Sequence, residues 1–147
     1  MIKDSGNRTE FKTGAVRDIQ KGKGRCDLLP LREVGGFLYD RTLDCIASFL
    51  EDGKVEHLYE AIDRSGCFKD RPTAILEVAV HFEEGAEKYG EDNWQKGIPV
   101  NRYIDSAVRH YLKFLRGDKD ERHDRAFVWN LICCIWEINH HGKETKS

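Results

Sequence analysis

Residues 72–89 read PTAILEVAVHFEEGAEKY, and this stretch decides the fold class. Pro72 suits the first turn of a helix, where its missing N–H is not needed, and Gly90 is a suitable stop. Between them, apolar residues recur every three or four positions, which is the period of an amphipathic helix. One broad arc holds Ile75, Leu76, Ala79, Val80, Phe82, Ala86 and Tyr89. The stretch therefore predicts a helix with this arc packed against a core.

The same period continues on both sides of this helix. It predicts further helices at about 40–52, 54–65, 101–115 and 119–140. A long alternation of apolar and polar residues, which would indicate strands, is absent from the sequence. Residues 1–27 are polar and contain several glycines, which is typical of an extended arm. We expect an all-α protein: a helical bundle of about five helices in a single domain, residues 28–147, preceded by an extended basic N-terminal arm.

Composition limits the classes of function. The chain has 147 residues, enough for one domain, and a formal net charge of −2, so no global positive field attracts nucleic acid or an anionic membrane. No apolar run approaches the roughly 20 residues that span a bilayer, and the first residues lack the apolar segment of a signal peptide. The 5 cysteines include no Cys-x-x-Cys pair, which favours reduced thiols. We therefore expect a cytoplasmic protein.

Carboxylates interrupt two of the predicted apolar stripes. Helical phase places four of them on the inward faces of two helices, namely Glu83, Glu87, Asp120 and Asp124. A carboxylate that faces a bundle interior costs several kcal/mol unless it is paired, protonated or bound to metal. Together the four would make an all-oxygen site, which suits Mg²⁺ and also Mn²⁺. The alternative is that these acids lie at solvated helix ends or in first turns, where the helix dipole favours them.

The arm and the loop after Gly90 carry groups that suit a nucleotide. Glycines let backbone N–H groups approach phosphate closely, and arginine supplies a bidentate fork for phosphate oxygens. The candidate nucleotide-binding residues are Arg17, Lys23, Arg25, Lys88, Tyr89, Asn93, Trp94, Lys96, Arg102, Asp105, Arg109 and His110. Asp105 and His110 are alternatively a further metal ligand and a residue that orients one. A disordered basic tail and aromatic residues that only close the end of the bundle remain open as alternatives.

The last predicted helix is apolar on two opposite faces. The second face holds Trp129, Ile132, Cys133 and Trp136. A helix that is apolar all round must be covered on both sides. In so short a chain this pattern predicts a subunit interface, and hence a homodimer or a dimer of dimers.

Seven blocks of the sequence resemble a phage family usually described as dATP/dGTP diphosphohydrolase-like. They are GAVRD at 14–18, GKGRCDLLP at 22–30, EEGAEKYG at 83–90, NWQKG at 93–97, RYIDSAVRH at 102–110, DERH at 120–123 and WN at 129–130. The family name connects the chain to the all-α NTP pyrophosphatases (MazG-like), which carry Glu-x-x-Glu on one helix and Glu-x-x-Asp on the next. Literal matches are Glu84-x-x-Glu87 and Glu121-x-x-Asp124.

The resemblance implies metal-dependent hydrolysis of a (d)NTP, with dGTP or dATP as substrate, to (d)NMP and pyrophosphate. It implies Mg²⁺, or Mn²⁺, held by carboxylates, and a host cytoplasm as the location if the protein is encoded by a phage. Glu84 or His123 would take the proton from the attacking water. The expected partners are a nucleotide and further copies of the chain, with neither nucleic acid nor membrane. Two alternatives stay open: a phage protein that sequesters a nucleotide or cyclic nucleotide without catalysis, and an oligomeric scaffold.

Overall fold

The computed structural model describes residues 5–142, and helices dominate this part of the chain. The helices are α1 Leu31–Leu38, α2 Thr42–Asp52, α3 Glu56–Arg64, α4 Arg71–Tyr89, α5 Val100–Arg116 and α6 His123–His141. Short 3-10 turns lie at Cys26–Leu28 and Trp94–Lys96. The predicted all-α class is confirmed. Along the described residues, no helix has the length and apolarity needed to cross a bilayer.

The N-terminal arm contains a small hairpin that packs on the helices. Its strands, β1 Arg8–Glu10 and β2 Val16–Asp18, pair in antiparallel fashion, and Ala15 next to the turn is fully buried. Asn93, in the loop after α4, accepts a hydrogen bond from the Val16 N–H (2.7 Å) and donates one to the Val16 carbonyl (2.8 Å). This pair of bonds ties the arm to the bundle and brings the basic residues of the arm against α5.

Two elements differ from the sequence prediction. Helix α1 was not among the predicted helices. It contains Gly35 and Gly36, and because glycine is a poor helix former the sequence gives only a weak helical signal there. Helix α6 begins at His123 and not near residue 119. The preceding residues form a turn in which Asp118 binds the guanidinium of Arg116 (2.5 Å).

The core lies between α5 and α6, the pair of helices with the most extensive packing. Ile104 and Val108 of α5 meet Phe127 and Leu131 of α6, and all four side chains are fully buried. The Tyr111 ring packs beside the Phe127 ring with centroids 5.1 Å apart. The apolar stripe predicted for the last helix is therefore the side that faces the core.

The predicted inward arc of α4 is wrong in its first half, whereas Phe82 in its second half packs against the core as predicted. Ile75, Leu76 and Val80 are 55%, 72% and 48% exposed, whereas Val78 and His81 are buried. The sequence could not choose between the two sides, because α4 is apolar on most of its circumference and either side could pack. Glu83 and Glu87 continue the exposed side and are themselves exposed.

The second apolar face of α6 is covered within the chain. The Trp129 ring lies 5.3 Å from the His81 ring and 6.1 Å from the Phe82 ring, both on α4. Trp136 packs against Trp94 with centroids 4.8 Å apart. The sequence assigned this face to a subunit interface, but intramolecular contacts with α4 and the following loop account for its apolar character.

Candidate active site

A cleft runs between the hairpin, α4, α5 and α6. It consists of three adjoining cavities of about 430, 300 and 540 Å³, including the open solvent at their mouths, and Arg17 lines all three. Strand β2 supplies Arg17, so the packing of the hairpin on the bundle creates the cleft.

One end of the cleft is apolar and aromatic. It is lined by Phe82, Tyr89, Trp94, Tyr103 and Trp129, among others. The Trp129 Nε1–H and the Tyr103 hydroxyl are buried, and neither has a hydrogen-bond partner among residues 5–142. Burial raises the pKa of Tyr103 well above its usual range, so the hydroxyl stays protonated. This end therefore offers stacking surfaces together with two polar groups that lack a partner.

The other end of the cleft is cationic. Its lining includes Lys23, Lys88, Arg102 and Arg109. Arg17 stands where the two ends meet: its Nη2 donates to the Asn130 Oδ1 (2.9 Å) and its guanidinium lies 5.3 Å from the centre of the Tyr103 ring. Its Nη1 is buried without a partner in the described part of the chain. A guanidinium that is held in place with a spare donor is suited to bind an anionic oxygen.

Asp105 holds residues of the cationic end in position through hydrogen bonds. Its carboxylate accepts two hydrogen bonds from the Arg109 Nη2 (both 2.7 Å) and one from the Cys26 N–H (2.7 Å). The residue is only 2% exposed. These contacts fasten the segment after the hairpin to α5 and hold Arg109 in position. Asp105 thus supports the cleft wall, whereas the sequence placed it among the nucleotide contacts.

Asp18 fixes the hairpin end that carries Arg17. Its carboxylate binds the Lys23 Nζ (2.6 Å) and the Ser5 hydroxyl (2.5 Å). Burial alone would raise the pKa of Asp18, but the hydrogen bonds from Lys23 and Ser5 outweigh it and lower the pKa to about 2. The ionised carboxylate therefore stabilises this corner of the cleft.

We expect Asp18→Asn to lower the free energy of unfolding at pH 7 by less than about 1 kcal/mol, because the pair is partly exposed to solvent. The folded-state pKa lies below the ordinary value, so the contribution is fully present above pH 4 and is lost as the pH falls through about 2. Urea denaturation at pH 7, 4 and 2 measures this difference, with the exposed Asp92→Asn as the control. A difference from wild type that is equally large at pH 2 would rule out this ion pair as its source.

A cluster of histidines and acids lies where α5 ends and α6 begins. The Nδ1 atoms of His110 and His123 are 2.9 Å apart, and the His123 Nε2 lies 2.7 Å from the Asp120 Oδ1. Glu121 has a buried Oε1 without a hydrogen-bond partner among residues 5–142. Burial raises the pKa of Glu121, whereas burial and the neighbouring His123 lower the pKa of His110. His110 also lines the cleft, so the cluster adjoins it.

Sequence comparison places these helices in a known family. Residues 59–147 match the sequence model of a family described as dATP/dGTP diphosphohydrolase, N-terminal, which covers more than half of the chain. The chain belongs to this family. The matched residues contain α4, α5 and α6, and therefore the histidine cluster and Trp129. The hairpin that carries Arg17 precedes the matched range of this diphosphohydrolase family. Neither the curated proteins nor the solved structures contain a match.

The four acids predicted as metal ligands are not brought together in this family member. Among residues 5–142, two groups of three or more His, Cys, Asp or Glu side chains could hold a metal ion, and neither includes Glu83, Glu87 or Asp124. Asp124 instead binds the Arg122 guanidinium (3.0 Å). Of the four, only Asp120 belongs to one of the groups, together with Asp118 and His123.

Most of the predicted nucleotide contacts do line the cleft, but two do not. Arg25 pairs with Asp27 (2.7 Å) at the surface, and Lys96 is exposed beside Gly14. The predicted nucleotide contacts that do line the cleft are Arg17, Lys23, Lys88, Tyr89, Asn93, Trp94, Arg102, Asp105, Arg109 and His110. Sequence reasoning missed Trp129 as a cleft residue, because an aromatic side chain on a helix is more often a core or interface position.

Proposed function

We propose that the protein hydrolyses dATP or dGTP between the α- and β-phosphates, giving the nucleoside monophosphate and pyrophosphate. The observation that carries this proposal is a set of buried polar atoms along one cleft that lack a hydrogen-bond partner among residues 5–142: Arg17 Nη1, Tyr103 Oη and Trp129 Nε1. Buried polar groups in folded proteins are nearly always hydrogen-bonded, so such a set in a cleft favours a polar ligand. Membership of the diphosphohydrolase family supports a nucleotide as that ligand.

The charges and rings of the cleft favour one orientation of the nucleotide. The triphosphate would lie at the cationic end, where Arg17, Lys23 and Lys88 converge. The base would lie against Trp129 and Tyr103, whose N–H and O–H groups can bind polar atoms at its edges. Arg17 at the junction would contact the α-phosphate, the group next to the sugar, and stabilise the charge that develops there during water attack.

A divalent cation, Mg²⁺ or Mn²⁺, is part of this proposal. When bound, it would withdraw negative charge from the phosphate oxygens. The Glu121 Oε1 has no hydrogen-bond partner within residues 5–142 and lies close to the imidazoles of His110 and His123. Together these three side chains are a donor set with which the chain could hold such an ion. Glu84 is half-buried on α4 next to Gly85, which lines the cleft, and we assign it the role of taking the proton from the attacking water.

Steady-state assays with each of the four dNTPs test the proposal. Pyrophosphate and orthophosphate are measured separately, with Mg²⁺, with Mn²⁺ and with excess EDTA. We expect pyrophosphate release that is greatest with dGTP or dATP and is abolished by EDTA. A nucleotide that binds tightly but is recovered intact would support the sequestering alternative instead, and the absence of both binding and hydrolysis would rule out the proposal.

The proposal includes self-association through the exposed side of α4. Ile75, Leu76 and Val80 are exposed there, and Glu83 and Glu87 continue this side toward the end of the helix. Two copies related by a twofold axis, with their α4 helices antiparallel, would bury the apolar centre and leave the acidic ends apart in solvent.

Leu76→Lys tests this surface. We expect it to convert the protein from dimer to monomer with little change in thermal stability, because Leu76 is 72% exposed in the single chain. Size-exclusion chromatography with light scattering measures the mass. Leu28→Lys, at a similarly exposed position (68%) away from α4, is the control and should remain dimeric. A monomeric wild type, or a dimeric Leu76→Lys variant, would contradict the assignment.

A further inference from the structure

The cluster at the junction of α5 and α6 has the donor set and spacing of a metal site. The Nδ1 atoms of His110 and His123 face each other at 2.9 Å, and one ligand atom from each of these residues and from Glu121 lies within 4.8 Å of the others. Two adjacent ligands of an octahedral ion with bonds of about 2.1 Å are about 3.0 Å apart, whereas tetrahedral ligands are about 3.4 Å apart. The spacing of the imidazoles therefore matches neighbouring positions of an octahedral ion.

Asp120 fixes the tautomer that such a site needs. Its carboxylate lies 2.7 Å from the His123 Nε2 and can only accept, so that nitrogen carries the proton. In the neutral ring, the His123 Nδ1 then presents its lone pair toward His110. A histidine ligand that donates its other N–H to a carboxylate is the usual arrangement around protein-bound metals. To coordinate through its own Nδ1, which lies 2.9 Å from the His123 Nδ1, His110 would carry its proton on Nε2.

Glu121 supplies the third donor. Its Oε1 is buried without a hydrogen-bond partner in the region that the structure describes, although an unsatisfied buried carboxylate oxygen is unfavourable. The competing group of Asp118, Asp120 and His123 lacks this feature, because the Asp118 oxygens bind the Arg116 guanidinium at 2.8 and 2.5 Å. The unsatisfied oxygen therefore points to the group that contains Glu121.

We propose that His110, His123 and Glu121 bind one octahedral divalent ion, with Asp120 orienting His123. Two imidazoles and one carboxylate favour Mn²⁺ over Mg²⁺, because Mg²⁺ prefers oxygen ligands alone. Three protein ligands leave three positions for water or phosphate oxygens. His110 also lines the cleft with Lys23 and Lys88, so the ion faces the place assigned to the triphosphate. Its part in hydrolysis rests on the proposed function, but its binding does not.

Titration of nucleotide-free protein with Mn²⁺, followed by the electron paramagnetic resonance signal of the free ion, tests the site. We expect one bound equivalent for wild type, and affinities at least about 10-fold lower for His110→Gln, Glu121→Gln and Asp120→Asn. Asp118→Asn is the matched control and should bind as wild type does. Failure of wild type to bind Mn²⁺ up to millimolar concentration would overturn the site, as would wild-type affinity in Glu121→Gln. A loss in Asp118→Asn and Asp120→Asn, with wild-type affinity in His110→Gln and Glu121→Gln, would place the ion in the competing group.

Electron spin echo spectra of the wild-type Mn²⁺ complex decide the ligands without relying on any variant. Modulation by two imidazole nitrogens is the expected result, and its absence would overturn the assignment. These measurements contain no nucleotide, so they separate the two hypotheses. Tight Mn²⁺ binding by a protein that cleaves no dNTP would leave the metal site intact and contradict only the proposed hydrolysis.

Discussion

Arg17→Met is expected to lower kcat/KM for dGTP hydrolysis by about 10²- to 10³-fold, the usual effect of removing one donor that stabilises a developing negative charge. Arg17 lines all three cavities of the cleft, and its Nη1 is buried without a partner among the described residues. Asn130 holds the guanidinium through the Nη2 (2.9 Å), so the spare donor is already in place before the substrate binds. Methionine keeps most of the apolar contact of the side chain while it removes every donor.

The design of this experiment separates charge from geometry. Arg17→Lys keeps the positive charge but loses the fork, and we expect an intermediate loss of activity. Lys96→Met removes an exposed cation outside the cleft and should leave kcat/KM unchanged. Circular dichroism and thermal melts establish that each variant is folded. If Arg17→Met retains wild-type kcat/KM while folded, the cleft around Arg17 is not where the triphosphate is cleaved.

Phe127→Ala is expected to lower the free energy of unfolding by about 3–5 kcal/mol, the range for truncation of a large buried aromatic residue. Phe127 is fully buried on α6 and packs against the Tyr111 ring of α5. The loss combines the apolar surface that is no longer buried with the cavity that remains. It would remove at least about a fifth of the stability of a typical domain, which is about 5–15 kcal/mol.

Urea denaturation at constant pH measures this loss. Phe37→Ala, at a position that is 85% exposed, is the matched control and should stay within about 0.5 kcal/mol of wild type. A change below about 1 kcal/mol for Phe127→Ala would contradict the central position that the α5–α6 packing gives to this residue.

The sequence predicts α5 well, because its apolar residues form one sharply defined stripe. α6 is apolar on two faces and both are covered within the chain, so predicting this helix did not require a choice of face. α4 is different: its apolar residues surround most of the helix, and helical phase alone does not say which side packs. The choice is made by Trp129 of α6, which packs on the side of α4 that holds His81.

The candidate site is harder to predict for the same reason. Glu83 and Glu87 satisfy a helical phase argument, but the orientation of α4 exposes both. The pairing of His110 with His123 depends on the turn between α5 and α6, whose conformation no periodicity specifies. One feature of the sequence nevertheless pointed to this cluster. Histidine and acidic residues stand at the end of one predicted helix and at the start of the next, and the short turn between these helices must bring them close together. Of the basic arm residues, Arg17 and Lys23 line the cleft whereas Arg25 does not, and their binding of phosphate stays a prediction.

The central claim is that this cleft catalyses cleavage between the α- and β-phosphates of a purine deoxynucleoside triphosphate. A ³¹P NMR time course of dGTP with the wild-type protein and Mg²⁺ or Mn²⁺ tests it most directly, because each possible cleavage gives a different pair of phosphorus products. The account predicts resonances of dGMP and pyrophosphate growing together, without orthophosphate. Orthophosphate with dGDP, tripolyphosphate with deoxyguanosine, or unchanged dGTP would contradict it.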